Sequence, residues 1–172
     1  MDTPASASES RRKELASRAV LSQLDAFLPE AEAIYTDIHA HPELSMQETR
    51  TAGLAADRLR AAGFEVTSKV GKTGVVGIMR NGDGATVMLR ADMDALPVLE
   101  ATGLAYASTI TTADRAGNTV PVMHACGHDM HVSWLVAAAT LLAKCRETWH
   151  GTLMVVFQPA EETAEGAQAM ID

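Results

Sequence analysis

Apolar residues recur at a helical spacing early in the chain, at Leu15, Val20, Leu21, Leu24, Phe27, Leu28, Ala31, Ile34, Tyr35 and Ile38. This pattern predicts helix over residues 15–40, with Pro29 breaking it or opening its second piece. "HAHPELSMQE" follows as a loop fixed by Pro42. A second helix is predicted from about Ser45 to Ala62, with Gln47 and Glu48 in its first turn and Gly63 closing it. The period then changes. "FEVTSKV" (64–70), "GVVGIMR" (74–80) and "ATVMLRA" (85–91) read as strands, with "GKT" and "NGDG" as the turns between them. Residues 100–121 are rich in turn formers and predict an irregular excursion with a short hairpin.

"HDMHVSWLVAAATLLAKCRE" is the clearest helix, with Asp129 as its N-cap and Lys144 and Arg146 at the negative end of its dipole. Its body is apolar on nearly all sides, which predicts burial. "TLMVVFQ" (152–158) is an apolar strand stopped by Pro159, and a last helix begins near Glu161 or Glu165. A helix followed by a strand, behind three earlier strands, predicts an α/β fold. The expected architecture is a mixed, partly parallel sheet flanked by helices.

Composition narrows the partners. The chain has 172 residues, 47% of them apolar and 21% charged, and so is long enough for one domain with a real core. A net charge of −8 without a basic stripe argues against nucleic acid or an anionic membrane surface. No apolar run approaches the roughly 20 residues that cross a bilayer. The first residues lack the apolar core of a secretory signal, so a cytoplasmic location is expected. Residues 1–14 are small and polar and predict a flexible tail ahead of a domain over 15–172. Cys126 and Cys145 flank the apolar helix. They would lie about 24 Å apart at ~1.5 Å per residue, beyond the roughly 7 Å that a disulfide allows.

Three polar clusters follow similar elements. The strand at 85–91 runs into Asp92-Met93-Asp94, the strand at 152–158 runs toward Glu161-Glu162, and "MHACGHDMH" (123–131) enters the apolar helix. Ligands in open α/β sheets sit outside the carboxyl ends of strands. Two strands ending in paired acids would bring four carboxylates to one rim, within reach of Cys126 and His128. Taken singly, each cluster has an ordinary reading. Asp-x-Asp after a strand is commonly a solvated turn, and paired glutamates suit a helix's first turn. The Cys-x-His step could be a metal site, a nucleophilic cysteine with its base, or a polar helix start. His39, His41, His124 and His131 receive no assignment, and Cys145 and His150 read as structural or surface residues.

The blocks "HAHPELSMQE", "GVVGIMRNG", "LRADMDALPVLE", "MHACGHDMHVSWLVAAATLL" and "GTLMVVFQPAEETAEGAQAMI" resemble, in the same order, the metallo-aminoacylase/carboxypeptidase family. The branch is that of hippurate hydrolases, N-acyl-amino-acid amidohydrolases and auxin-conjugate hydrolases. The resemblance covers about residues 30–172. It implies the amino-terminal portion of a di-metal catalytic domain, with two divalent ions such as Zn, Mn, Co or Ni. Cys126, His128 and Glu162 would be metal ligands, Glu161 the general base and Asp94 an orienting acid, with Asp92 less certain. The substrate would be a small N-acyl amino acid, hydrolysed by metal-activated water between ions about 3.5–4 Å apart.

The family pattern extends past this chain, through a further ligand histidine, a lid and dimerisation domain, and a last ligand histidine. The resemblance therefore implies a partial catalytic domain. Two other readings stand beside the amidohydrolase: a catalytically incompetent piece that binds metal or associates with another chain, and a thiol amidase using Cys126 with His124 or His128 as base. An unpaired sheet edge, with self-association or a homo-oligomer, is the expected structural consequence.

Overall fold

The computed structural model describes the backbone of residues 4–172 and side chains from Ser10 onward. Helix α1 spans Pro4–Leu21 and α2 spans Leu24–Ala40. The break between them lies at Ser22–Gln23, and Pro29 sits inside α2 in its second turn. The sequence reading put the break at Pro29. Pro29 removes the amide that would bond the Asp25 carbonyl, and the helix nevertheless continues through it. Residues 4–14, read as tail, are helical, and their alanine, glutamate, arginine and lysine content favours that state. The part of the expected tail at 1–3 lies outside the described residues.

Helix α3 spans Thr49–Ala61, four residues later than the predicted start. Ser45 and Met46 are diverted into a turn, with Met46 at φ 65°, and Glu48 becomes the cap position. Strands β1 (Glu65–Val70), β2 (Gly74–Asn81) and β3 (Thr86–Asp92) match the predicted segments closely. Strands β4 (Thr111–Ala113) and β5 (Thr119–Pro121) form the expected small hairpin. Helix α4 spans His128–Lys144, β6 spans Gly151–Gln158 and α5 spans Gly166–Ile171.

The main sheet has the order β1-β2-β6-β3. Strand β2 is antiparallel to both of its neighbours, β1 and β6, while β3 and β6 run parallel with Asp92 opposite Gln158. Strand β6 shows why one face is covered. Gly151, Leu153, Val155 and Phe157 are buried, and the alternate residues are half-buried. The buried set joins Ile34 and Ile38 of α2, Ala55 and Leu59 of α3, and Val132, Val136 and Ala139 of α4 in one core. Phe157 and Val155 are fully buried, each stabilising the fold by roughly 1.5–3 kcal/mol. Strand β3 is an edge strand, and its Val87 and Met88 are 55% and 61% exposed. Among the described residues, no helix is long and apolar enough to cross a membrane.

Candidate metal centre

Adjacent parallel strands end side by side, so β3 delivers Asp92 and Asp94 to the rim where β6 delivers Glu161 and Glu162. Helix α4 arrives at the same rim through Gly127. Its φ of 79° and ψ of 22° place it in the left-handed region, where an added Cβ would be strained. This turn lets Cys126 and His128 flank the helix start. Gly127 occupies the cap position predicted for Asp129. Asp129 lies instead within the first turn, where its Oδ1 accepts the Met130 amide at 2.8 Å.

Asp94 organises the rim. It is 1% exposed; its Oδ1 accepts the Glu161 amide at 3.0 Å, and its Oδ2 accepts the Glu162 amide at 3.0 Å and the Ser45 hydroxyl at 2.6 Å. Its backbone carbonyl accepts from His128 Nδ1 at 2.8 Å. Burial opposes ionisation of Asp94, but these hydrogen bonds and His128 outweigh it and hold the carboxyl at about 2. With Nδ1 committed to the carbonyl, Nε2 is the nitrogen His128 can offer a ligand. It faces Asp92 Oδ1 at 3.7 Å, Glu161 Oε2 at 3.7 Å and Glu162 Oε1 at 3.8 Å. Burial lowers the His128 pKa while the carboxylates of Asp94 and Asp92 raise it, leaving it at about 9. The Glu162 carboxylate beside Cys126 pushes that thiol up to about 11.

The donor set fits a divalent ion. His128, Glu161 and Glu162 offer ligand atoms within 4.8 Å of one another, and Asp92, His128 and His131 form a second such group. Glu162 Oε1 is buried without a hydrogen-bond partner, the state of an acceptor awaiting a cation. Imidazole and carboxylate together suit borderline divalent metals, and the exposed Cys126 lies beside Glu162 without joining either group.

Other residues join the rim that the sequence reading left unassigned. His131 Nδ1 lies 2.6 Å from Asp92 Oδ1, and its ring stacks on that of His128 at 5.6 Å. The signal was available, since His128 and His131 are three apart on one helix and share a face. Glu48 is fully buried and accepts the Met46 amide at 2.9 Å, the Ala160 amide at 2.8 Å and the Thr73 hydroxyl at 2.6 Å. It thereby fixes the residue before Glu161. His41 is a surface residue bonded to the Asp37 carbonyl, and His124 is buried with both ring nitrogens unpartnered. Cys126 and Cys145 are both free. A cleft of about 400 Å³ opens beside Glu162, walled by Leu44, Ala95, Leu96 and Pro97.

Fold and rim together define a class: an α/β domain whose carboxylate and imidazole groups gather at the carboxyl ends of a parallel strand pair. The comparisons make this specific. The model of peptidase family M20/M25/M40 matches residues 88–172. Hippurate hydrolase of Campylobacter jejuni is 46% identical over 144 residues, which are 83% of this chain and 35% of that protein. N-acetyl-L-cysteine deacetylase of Bacillus subtilis is 39% identical over 136 residues, which are 78% of this chain and 30% of that protein. The crystal structure of a Bacillus subtilis dinuclear metal-binding peptidase of the M20 family superposes with a TM-score of 0.75 at 37% identity. That match covers 86% of this chain and 39% of the other. The chain is similar to peptidases of the M20 family, the family model matching residues 88–172, and it spans about a third of the length of the curated relatives it matches.

Proposed function

We propose that the chain carries part of the catalytic centre of a metal-dependent amidohydrolase acting on N-acyl amino acids, with the domain extending over 15–172. The observation that carries this reading is the grip of Asp94 on both halves of the centre. One buried carboxylate holds the amides of Glu161 and Glu162, and the carbonyl of the same residue holds His128. Cys126, His128 and Glu162 are the proposed ligands of two divalent ions. When bound, such ions supply acidity for a water and polarisation for a carbonyl. Glu161, the more exposed of the two glutamates, takes the proton of the attacking water and returns it to the leaving amine.

The apolar-walled cleft beside Glu162 suits the acyl part of such a substrate. The names of the relatives support the same class, since one hydrolyses hippurate and another deacetylates N-acetyl-L-cysteine. A thiol-dependent mechanism fits poorly. His124 is buried with both ring nitrogens unpartnered, and the Glu162 carboxylate beside Cys126 disfavours a free thiolate there. The test is hydrolysis of hippurate and N-acetyl amino acids by metal-loaded protein, with and without chelator. Turnover that survives metal removal and disappears on alkylating Cys126 would overturn the proposal.

A further inference from the structure

His39 closes α2, and nothing in the proposed chemistry uses it. Its Nδ1 lies 2.6 Å from Asp129 Oδ2 and its Nε2 lies 3.0 Å from Glu100 Oε1. The three side chains are 6%, 2% and 0% exposed. Ionised carboxylates only accept, so both contacts call for an N–H, and the imidazolium alone among the forms of histidine has two. The helix dipoles favour the same charges. His39 stands in the last turn of α2, at a negative end, and Asp129 in the first turn of α4, at a positive end. Burial works against the His39 charge, and the bonds to Glu100 and Asp129 more than offset it, raising its pKa. Tyr35 and Tyr106 stand against the imidazole with ring centroids 5.7 and 5.3 Å away. Glu100 is itself held by the Thr102 hydroxyl and by the Ser108 amide at 2.6 Å.

Asp129 directly follows His128, and Gly127 before them contributes no side-chain restraint. The orientation of the Cys126-Gly127-His128 step therefore depends on what holds the first turn of α4. Three contacts do so: His128 Nδ1 on the Asp94 carbonyl, His131 Nδ1 on Asp92, and Asp129 on His39, of which the last alone reaches α2. A buried ion pair contributes little net stability compared with apolar packing of the same volume. Its short, directional bonds do restrict angle. We propose that His39, clamped between Asp129 and Glu100, is a positioning residue of the metal centre. It fixes the first turn of α4, and with it the directions in which Cys126 and His128 present their donor atoms. This rests on the reading of those two residues as ligands.

Cobalt(II) binding to the chain tests it, because the visible bands of cobalt report ligand geometry independently of turnover. His39→Gln keeps one donor nitrogen in place of two and puts an accepting oxygen where the other stood. The paired variant His39→Gln/Glu100→Gln also removes the carboxylate charge left over, so that folding does not depend on burying it. Competition against a chromophoric chelator is expected to show cobalt affinity reduced ten-fold or more, within the roughly 10–100-fold range for residues that orient ligands. The cobalt bands should shift while the far-UV circular dichroism of the metal-free chain is kept. Asp129→Asn, which weakens the same contact from α4, should shift the bands in the same way. A variant that melts earlier yet binds cobalt with unchanged affinity and spectrum overturns the positioning role and leaves the ligand assignment standing. Absence of cobalt binding by the unaltered chain overturns both.

Discussion

Asp94 accepts the backbone amide of Glu162 at 3.0 Å, so the turn bearing the proposed ligand hangs on a side chain just beyond the end of β3. The amide of Glu161 and the hydroxyl of Ser45 share the same carboxylate. Asp94→Ala leaves three donors without an acceptor and is expected to cost about 3–5 kcal/mol. Metal affinity should fall with it. The pH dependence follows from the depressed pKa. A carboxyl at about 2 in the fold and 3.8 when unfolded contributes stability that is complete above 3.8 and is lost as pH falls through 2. Denaturant unfolding between pH 5 and 2, compared with Asp94→Asn, measures that contribution, expected to be about 2 kcal/mol.

The two glutamates after β6 separate by role. Glu161→Gln is expected to bind metal like the parent and to lose turnover by about 10²-fold or more, whereas Glu162→Gln should lose metal. Metal content after gel filtration, read beside hydrolysis of an N-acyl amino acid, distinguishes the two. Metal lost from Glu161→Gln and kept by Glu162→Gln would exchange their assignments.

His124 makes the fold sensitive to mild acid. Burial lowers its pKa to about 4, with the neighbouring His128 and His39 charges adding to the effect against Asp129 and Asp94. The stability this histidine permits is complete above its ordinary value of 6.5 and is lost as pH falls through 4. The loss is of order 3 kcal/mol. Replacing it by leucine, which carries no proton, should flatten the melting temperature across that window.

Glu48 supports the rim from behind. Glu48→Gln substitutes an amide for one of two accepting oxygens, so one of the Met46, Ala160 and Thr73 donors loses its partner. A loss of about 1–3 kcal/mol is expected in chemical denaturation. Ala160 already adopts a φ of 47°, so this turn has little strain to spare.

The exposed edge at β3 should drive association of the chain. Val87→Lys with Met88→Lys places charge on that strand, a device that blunts strand pairing. Sedimentation velocity should show less self-association in the double variant than in the parent.

The strands and the convergence of acids on one rim were legible because period, turn residues and strand ends are local signals. The fold class followed from their order. Asp129 was misread for a physical reason. An aspartate at a helix start looks like a cap, and its true partner, His39, lies 90 residues away. His39 carried a weak signal of its own, being four residues beyond Tyr35 and next to Ile38 on the face that α2 buries. Glu48 carried none. A glutamate in a first turn matches the helix dipole whether solvated or buried, and only the return of Ala160 after β6 encloses it. The break at Ser22–Gln23 was hidden by the louder signal of Pro29.

The parallel pairing of β3 with β6 has a kinetic consequence. Residues 86–92 find 152–158 only after the intervening chain has looped back, a costly closure that slows folding. The helices and the β1–β2 hairpin can form before it. Asp94 can grip Glu161 and Glu162 only afterwards. The centre is thus assembled among the last events of folding, and metal uptake should lag behind the gain of helical structure in a refolding experiment.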